Sequence, residues 1–284
     1  MLVGFATATA LVLSVVVCLA GGAFAGLSWL WMLPLSFAGI WLVLALAILL
    51  FLVIVSYIVD LDKEQEDDDP FYRRVAELYA EALIQIMQVR VRTRGLEKTP
   101  TDGRFLLVCN HQFLADPGVL LHHFKDSQLA FISKKENRDL FCVGRIMHKF
   151  LCQTLDRDND RQALKTILKC IQLIREDKVS VAVFPEGGTN HDDKLHPLKA
   201  GVFKIAQKAE VPIVVCTINN TRPVFKNAAK LRKTDVQLHL VGVIPAEELK
   251  GRTTVDIAEQ VYGMMLSDLG EEYRYIGQET EQNT

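Results

Sequence analysis

No Asp, Glu, Lys, Arg or His occurs before Asp60 in this chain of 284 residues. An uncharged stretch of that length cannot form the surface of a water-soluble domain. It divides into two apolar runs, residues 2–26 and 29–59, separated by Gly26-Leu27-Ser28, with a further bend expected at Pro34. Each run exceeds the roughly 20 apolar residues that cross the hydrocarbon core of a bilayer. A cleaved secretory signal is the poorer reading, because a basic leading region is missing and a second apolar run comes at once. The expectation is a two-helix transmembrane anchor over residues 1–59, which puts both ends of the chain on one side. The loop between the runs holds no Lys or Arg, so charge bias gives little orientation.

Paired cysteines are also missing. Cys18, Cys109, Cys142, Cys152, Cys170 and Cys216 include no C-x-x-C and mostly sit among apolar neighbours. This suits buried free thiols in a reducing compartment rather than a disulfide frame. It points to a multi-pass membrane protein whose soluble part faces the cytoplasm. Internal repeats and low-complexity segments are likewise not found.

Beyond the anchor the chain is charged. Residues 60–69, DLDKEQEDDD, hold seven acids and one Lys and read as an acidic linker. Residues 70–270 carry 30 basic and 23 acidic residues, a net of +7, and residues 271–284 read as a polar tail. That excess is a mild bias toward anionic partners such as phosphorylated ligands or a lipid surface. No nucleic-acid partner is expected.

The soluble part alternates helices and strands. PFYRRVAELYAEALIQIMQVR has apolar residues at 71, 75, 78, 79, 82, 83, 86 and 87, the spacing of an amphipathic helix that lies on a membrane or packs on the domain. RFLLVCN, QLAFISKK, VSVAVF, PIVVCTI and DVQLHLVGVI read as buried strands. Helices are expected after Asp116, over DRQALKTILKCIQLIRED, over KAGVFKIAQKAE and over residues 253–269. The segment CVGRIMHKFLCQT reads as poor in helix. Apolar strands alternating with helices indicate an α/β fold with a mixed central sheet covered by helices on both faces.

The candidate chemistry lies in NHQFLADPGVL, residues 110–120. His111 sits just beyond a predicted buried strand, at the sheet edge where ligands collect in α/β folds. Asp116, five residues on, is close enough to hold one ring nitrogen and leave the other to move a proton. No Ser or Cys in the motif offers a nucleophile, so the base would act on a hydroxyl of the substrate. The competing reading is a loop in which Asp116, ahead of Pro117, only caps a helix. In FPEGGTN, Gly187 and Gly188 permit positive φ and could turn backbone N–H groups toward an anion, or simply make a turn. Glu186 could hold a substrate hydroxyl. TLDRDND begins like a calcium loop, but Arg161 stands where Gly is needed and Ile167 where Glu is needed. Arg157 in that stretch instead offers a planar fork for phosphate. HDDKLH at 191–196 matches no standard ligand spacing, and no metal site is expected.

Together these residues resemble the glycerolipid acyltransferase family, the 1-acyl-glycerol-3-phosphate acyltransferases in particular. The family block N-H-x-x-x-x-D is matched by Asn110, His111 and Asp116. A second block resembles SKKE at 133–136 followed by LDR at 155–157. The third, F-P-E-G-T-R, is matched by Phe184, Pro185, Glu186 and Gly187. The fourth, V-P-I-V-P, is matched by VPIV at 211–214. Gly188, Thr189 and Asn190 replace the usual T-R, so the third block lacks its Arg, and Val215 replaces the second proline of the fourth.

The resemblance implies that His111, held by Asp116, deprotonates the free hydroxyl of lysophosphatidate, which then attacks an acyl thioester. Acyl-CoA or acyl carrier protein would be the donor substrate, with no bound cofactor. It further implies that Lys134 and Arg157 grip the acceptor phosphate, while Asn110, Glu186, Gly187 and Thr189 line the substrate site. The product would be phosphatidic acid for phospholipid synthesis. Two alternatives stay open: a lysophospholipid acyltransferase or transacylase of the same fold, and a non-catalytic membrane lipid-binding protein.

Overall fold

The computed structural model of the chain describes residues 1–156, 159–189 and 192–275. The uncharged segment folds as α1 (Leu2–Ala20) and α2 (Trp29–Tyr57), which pair side by side, with the Trp41 indole donating to Thr7 Oγ1 at 3.2 Å. The first run breaks at Gly21-Gly22 rather than Gly26, because Gly22 adopts φ 65°. Pro34 falls inside α2 near its start and does not end it. Both helices are long and apolar enough to cross a membrane, with mean hydropathies of 2.5 and 3.1. At about 1.5 Å per residue α1 is roughly 28 Å long, close to the thickness of a hydrocarbon core.

The acidic residues after α2 are strapped to the domain rather than hanging free. Glu64 pairs with Lys169 at 2.8 Å, Asp67 with Lys178 at 3.0 Å and Asp62 with Arg138 at 3.1 Å. Asp69 then caps α3 (Pro70–Ile86), accepting the N–H groups of Phe71 and Tyr72, with Pro70 at the first helical position. Helix α3 lies antiparallel to the end of α2: the Tyr72 hydroxyl donates to Val55 O at 3.0 Å and the Tyr79 hydroxyl to Ile48 O. The N-terminal part of α2, from Trp29, therefore projects past Ile86. The apolar face of helix α3 is divided, and its buried part packs on the domain. Tyr72 and Val75 are buried against the domain, while Phe71, Leu83 and Ile86 stay at least half exposed.

The apolar spacing predicts a helix as far as Arg90. The helix instead stops at Ile86, because Gln88 takes φ 53° and turns the chain into β1 (Val89–Arg94). The succeeding elements are β2 (Leu106–Cys109), α4 (Asp116–His123), β3 (Leu129–Lys134), α5 (Val143–Lys149), β4 (Gln153–Leu155), α6 (Asp160–Arg175), β5 (Ser180–Val183), α7 (Lys204–Ala209), β6 (Ile213–Asn219), α8 (Val224–Ala228), β7 (Thr234–Ile244) and α9 (Thr254–Leu269). Helix α5 corrects the reading of CVGRIMHKFLCQT as poor in helix. Elements as short as α5, α8 and β4 carry too few residues to show a period.

The strands form one mixed sheet in the order β1-β7-β6-β2-β5-β3-β4, in which only the β6–β7 pairing is antiparallel. Alternate side chains serve opposite cores. Leu107 and Cys109 pack with Val75, Leu120 and Ile146 on one face, while Leu106 and Val108 pack with Ile171, Phe203 and Val261 on the other. This explains why the strands read as unbroken apolar runs. The stripe of α6 is broader than its buried face: Ile167, Ile171 and Ile174 are buried, but Leu164 and Leu168 are exposed. Strands β2 to β6 all end at one edge of the sheet, where β7 begins. That edge carries His111 at the end of β2, and the α1–α2 pair projects from the same side. All six cysteines are unpaired, and all but Cys152 are buried.

Candidate functional site

The loop between β2 and α4 folds back on itself through one carboxylate. Asp116 Oδ2 accepts from His111 Nδ1 at 2.7 Å, from the Gln112 N–H at 2.7 Å and from the Phe113 N–H at 2.8 Å. These donors all precede Asp116, and its side chain makes no cap to α4. The helix-cap reading of Asp116 is therefore not the geometry found. The carboxylate is fully buried, and burying it is tolerable because three donors converge on one oxygen. With Nδ1–H given to Asp116, the His111 lone pair lies on Nε2. The imidazole is further held by Phe184, whose ring stacks on it at 4.1 Å between centroids and 21° between planes.

Glu186 acts on the loop through the main chain. Its Oε1 accepts the N–H of His111 at 2.7 Å and its Oε2 that of His196 at 3.0 Å. Only 8 % of its surface is exposed. Burial pushes its carboxyl up to about 7, against the two N–H donors that favour the charged form. Gly187 comes next with φ 85° and closes the turn by donating its N–H to Phe184 O at 3.1 Å. That positive φ accounts for the glycine. Asn110 is buried, and both ends of its amide engage Ile218: Oδ1 accepts the N–H at 2.7 Å and Nδ2 donates to the C=O at 2.9 Å. Asn110 thus continues the β2–β6 pairing by one side chain.

His111, Asp116, Asn110, Glu186 and Gly187 come together at one sheet edge. Lys134 does not join them. It ends β3, exposed and two strands from β2, a lateral separation of about 10 Å. Thr189 lies beyond the Gly187 turn and is half-buried. Arg157 falls outside the described residues, and its neighbour Asp156 bonds Lys135 at 2.9 Å.

Other residues at the site carry no motif. Gln112 reaches Asn219 Oδ1 at 3.2 Å and fixes the loop against the end of β6. A small pocket beside His111 is lined by Gln112, Lys194, Arg222 and Tyr273, among others. Arg222 is held there by Asp193 at 2.8 Å. The signal that could have found Arg222 is its place just after the fourth block, at the end of a strand next to β2. The Cys109 thiol lies one residue before Asn110 on β2, but it is fully buried in the core and burial pushes its ionisation well up. It is not a usable nucleophile. The arrangement is a base with its orienting carboxylate, opening on a pocket with positive charge.

The acyltransferase family model matches residues 90–219, the stretch from β1 to the end of β6. The 1-acyl-sn-glycerol-3-phosphate acyltransferase alpha of Bos taurus is 26% identical over 180 residues, which cover 63% of this chain and 62% of that one. A chloroplastic 1-acyl-sn-glycerol-3-phosphate acyltransferase of Brassica napus is 30% identical over 161 residues, covering 56% of this chain and 46% of its own. In each case the match takes in less than two thirds of the relative's length. Among solved structures, the crystal structure of the 1-acyl-sn-glycerophosphate (LPA) acyltransferase PlsC from Thermotoga maritima superposes with a TM-score of 0.58 at 23% identity, over 80% of this chain and 89% of that one. That likeness is one of fold. The stretch that matches the acyltransferase family model, residues 90–219, is thus the one that carries His111, Asp116 and Glu186.

Proposed function

We propose that the protein transfers a fatty acyl group from an acyl thioester, acyl-CoA or acyl carrier protein, to the free hydroxyl of 1-acylglycerol 3-phosphate. The observation that carries this reading is the His111–Asp116 pair with Nε2 left for substrate and no usable thiol beside it. Nε2 takes the hydroxyl proton as the oxygen attacks the thioester carbonyl. The tetrahedral intermediate expels the thiolate, which recovers the proton from the imidazolium, giving phosphatidic acid and free thiol. Asp116 stabilises the transient imidazolium and keeps the ring in its tautomer. A thioester has a good leaving group, so the sequence of steps closes with no covalent enzyme intermediate.

The acceptor's phosphate needs cations near the dyad. Arg222 and Lys194 line the pocket beside His111 and would serve where the third block lacks its Arg. Lys134 keeps that role only if the acceptor reaches across β5 to the end of β3. The α1–α2 pair would hold the site against the bilayer that dissolves both lipid substrate and product, with both ends of the chain in the cytoplasm.

The test is an assay of the purified full-length protein with acyl-CoA and either lysophosphatidate or lysophosphatidylcholine, following thiol release. Thiol release dependent on lysophosphatidate supports the reading. Acyl transfer without thiol release would make the protein a transacylase, and preference for lysophosphatidylcholine would make it a lysophospholipid acyltransferase.

A further inference from the structure

The loop after β6 presents an unusual surface on the His111 edge. From residue 211 to residue 234 the chain contains no Asp or Glu, yet Lys226, Lys230, Arg232 and Lys233 fall within eight positions of one another. All four are exposed. Among them stand Phe225, 41% exposed, and Leu231, 82% exposed. Leu231 is not a frayed residue. It takes φ 53° in a closed turn after α8, its N–H bonded to Ala228 O at 2.9 Å and the next N–H, of Arg232, to Asn227 O at 2.8 Å. A leucine held in the left-handed region carries a steric cost, and its side chain in water gains nothing for the folded domain. Both disadvantages are offset if that side chain enters hydrocarbon while the cations beside it meet phosphates.

The location supplies the occupant. Phe225 makes an edge contact with Phe113, 5.3 Å between ring centroids, so the segment is continuous with the loop that carries His111. Leu114, 68% exposed, extends the apolar surface on the other side of that contact. The helical pair α1–α2 projects from this same edge, past Ile86, so a bilayer that receives the pair also meets residues 224–233. We propose that this segment is a docking surface for the headgroups of anionic phospholipids, with Phe225 and Leu231 inserted between them, and that it presses the His111 edge of the sheet onto the membrane. A neutral bilayer would take the anchor but hold this edge only weakly, because each Lys or Arg gains from the negative surface potential.

The experiment places a reporter in the segment and reads depth, not turnover, so its failure and the failure of the acyl-transfer reading are separate results. The full-length protein carrying Ala229→Cys is labelled with an environment-sensitive fluorophore, the unsubstituted chain serving as the labelling blank. It is reconstituted in phosphatidylcholine vesicles with or without phosphatidylglycerol, each also prepared with a headgroup-level nitroxide lipid. Asp126→Cys, just before β3 on the opposite edge of the sheet, is the reference. The expected result is quenching at position 229 in vesicles containing phosphatidylglycerol, little in phosphatidylcholine alone, and none at position 126. Replacing Lys226, Lys230, Arg232 and Lys233 together by Gln should weaken the contact about tenfold or more. Leu231→Ser should make quenching shallower with the charge intact. Thermal unfolding in detergent identifies any variant that has failed to fold, and Leu231→Ser and the Gln variant are independent of each other in this respect. Equal quenching in both vesicles would overturn the anionic assignment. An unquenched probe in both would overturn the docking surface and leave the cations to a soluble acidic partner.

Discussion

The side-chain amide of Asn110 pairs with the backbone of Ile218 in both directions, at 2.7 and 2.9 Å. It stands where β2 has ended and the dyad loop begins, so the position of His111 is referred to β6 through this amide. Asn110→Asp keeps the shape but sets a carboxylate oxygen against the Ile218 carbonyl. A buried group left without its partner costs about 1–3 kcal/mol. The expected outcome is a lower Tm together with a lower kcat, while KM for lysophosphatidate changes little. A raised KM with Tm unchanged would mean that the amide contacts substrate.

His111→Ala should lower kcat by roughly 10²- to 10⁴-fold, the usual worth of a positioned base, with the fold unchanged by circular dichroism. Asp116→Asn should cost less. The oxygen at the Oδ2 position receives N–H groups from Gln112 and Phe113 as well as from the ring. Those two fixed donors force an amide to place its oxygen there, so the Nδ1–H tautomer survives and only the charge is lost. Asp116→Ala frees the ring as well. The order His111→Ala, then Asp116→Ala, then Asp116→Asn, from most to least damaging, is checked by kcat at saturating acceptor. A variant series in which Asp116→Asn equals His111→Ala would contradict this account of the tautomer.

Much of this site is local and therefore legible in the sequence. His111 and Asp116 share one short loop, and the apolar strand before them and Pro117 after them mark its ends. The helical pair is legible because 59 uncharged residues have few ways to fold. Glu186 is legible as a site residue but not in its task. Its two acceptor bonds join a donor 75 residues earlier in the chain to one ten residues later, and no local pattern encodes such a meeting. Gln112 and Arg222 act through tertiary placement alone. The end of α3 is hidden because VRVRTR continues a tolerable helical composition, and only the positive φ at Gln88 and the pairing of β1 with β7 decide otherwise.

Glu186 should make stability depend on pH. Its folded-state carboxyl titrates at about 7 against an ordinary value of 4.5. Between those values the folded protein holds a proton that the unfolded chain has released, so stability falls as pH rises through this window and the loss is complete above it. The size is on the order of 2–3 kcal/mol across pH 5 to 8, since one pKa unit corresponds to about 1.4 kcal/mol. Glu186→Gln removes the titration. It also sets an amide NH₂ against either the His111 or the His196 N–H, so it should be the less stable protein at pH 5. The expected measurement is a Tm that falls from pH 5 to 8 in the unsubstituted protein and stays nearly level in Glu186→Gln. Parallel pH profiles for the two proteins would show that Glu186 is not the titrating group.

The acceptor headgroup is tested at Arg222. This side chain comes from the loop after β6, lines the pocket beside His111 and is oriented by Asp193 at 2.8 Å. A guanidinium presents a planar fork of donors, so a phosphate monoester can be met by its terminal N–H groups while Nε stays on Asp193. Arg222→Ala should therefore raise KM for lysophosphatidate by more than about tenfold, because charge-assisted bonds exceed the roughly 1 kcal/mol of a neutral one. Arg222→Lys should recover part of that loss, since a point charge lacks the fork. Asp193→Asn should have a smaller effect in the same direction, as it loosens the guanidinium without removing it. The contrast with lysophosphatidylcholine separates recognition from folding. A phosphodiester carries one charge fewer, so Arg222→Ala should weaken its use less. An equal loss on both acceptors would make Arg222 a structural partner of Asp193, and the acceptor phosphate would then have to be met from Lys194 or from the β3–β4 side of the sheet edge.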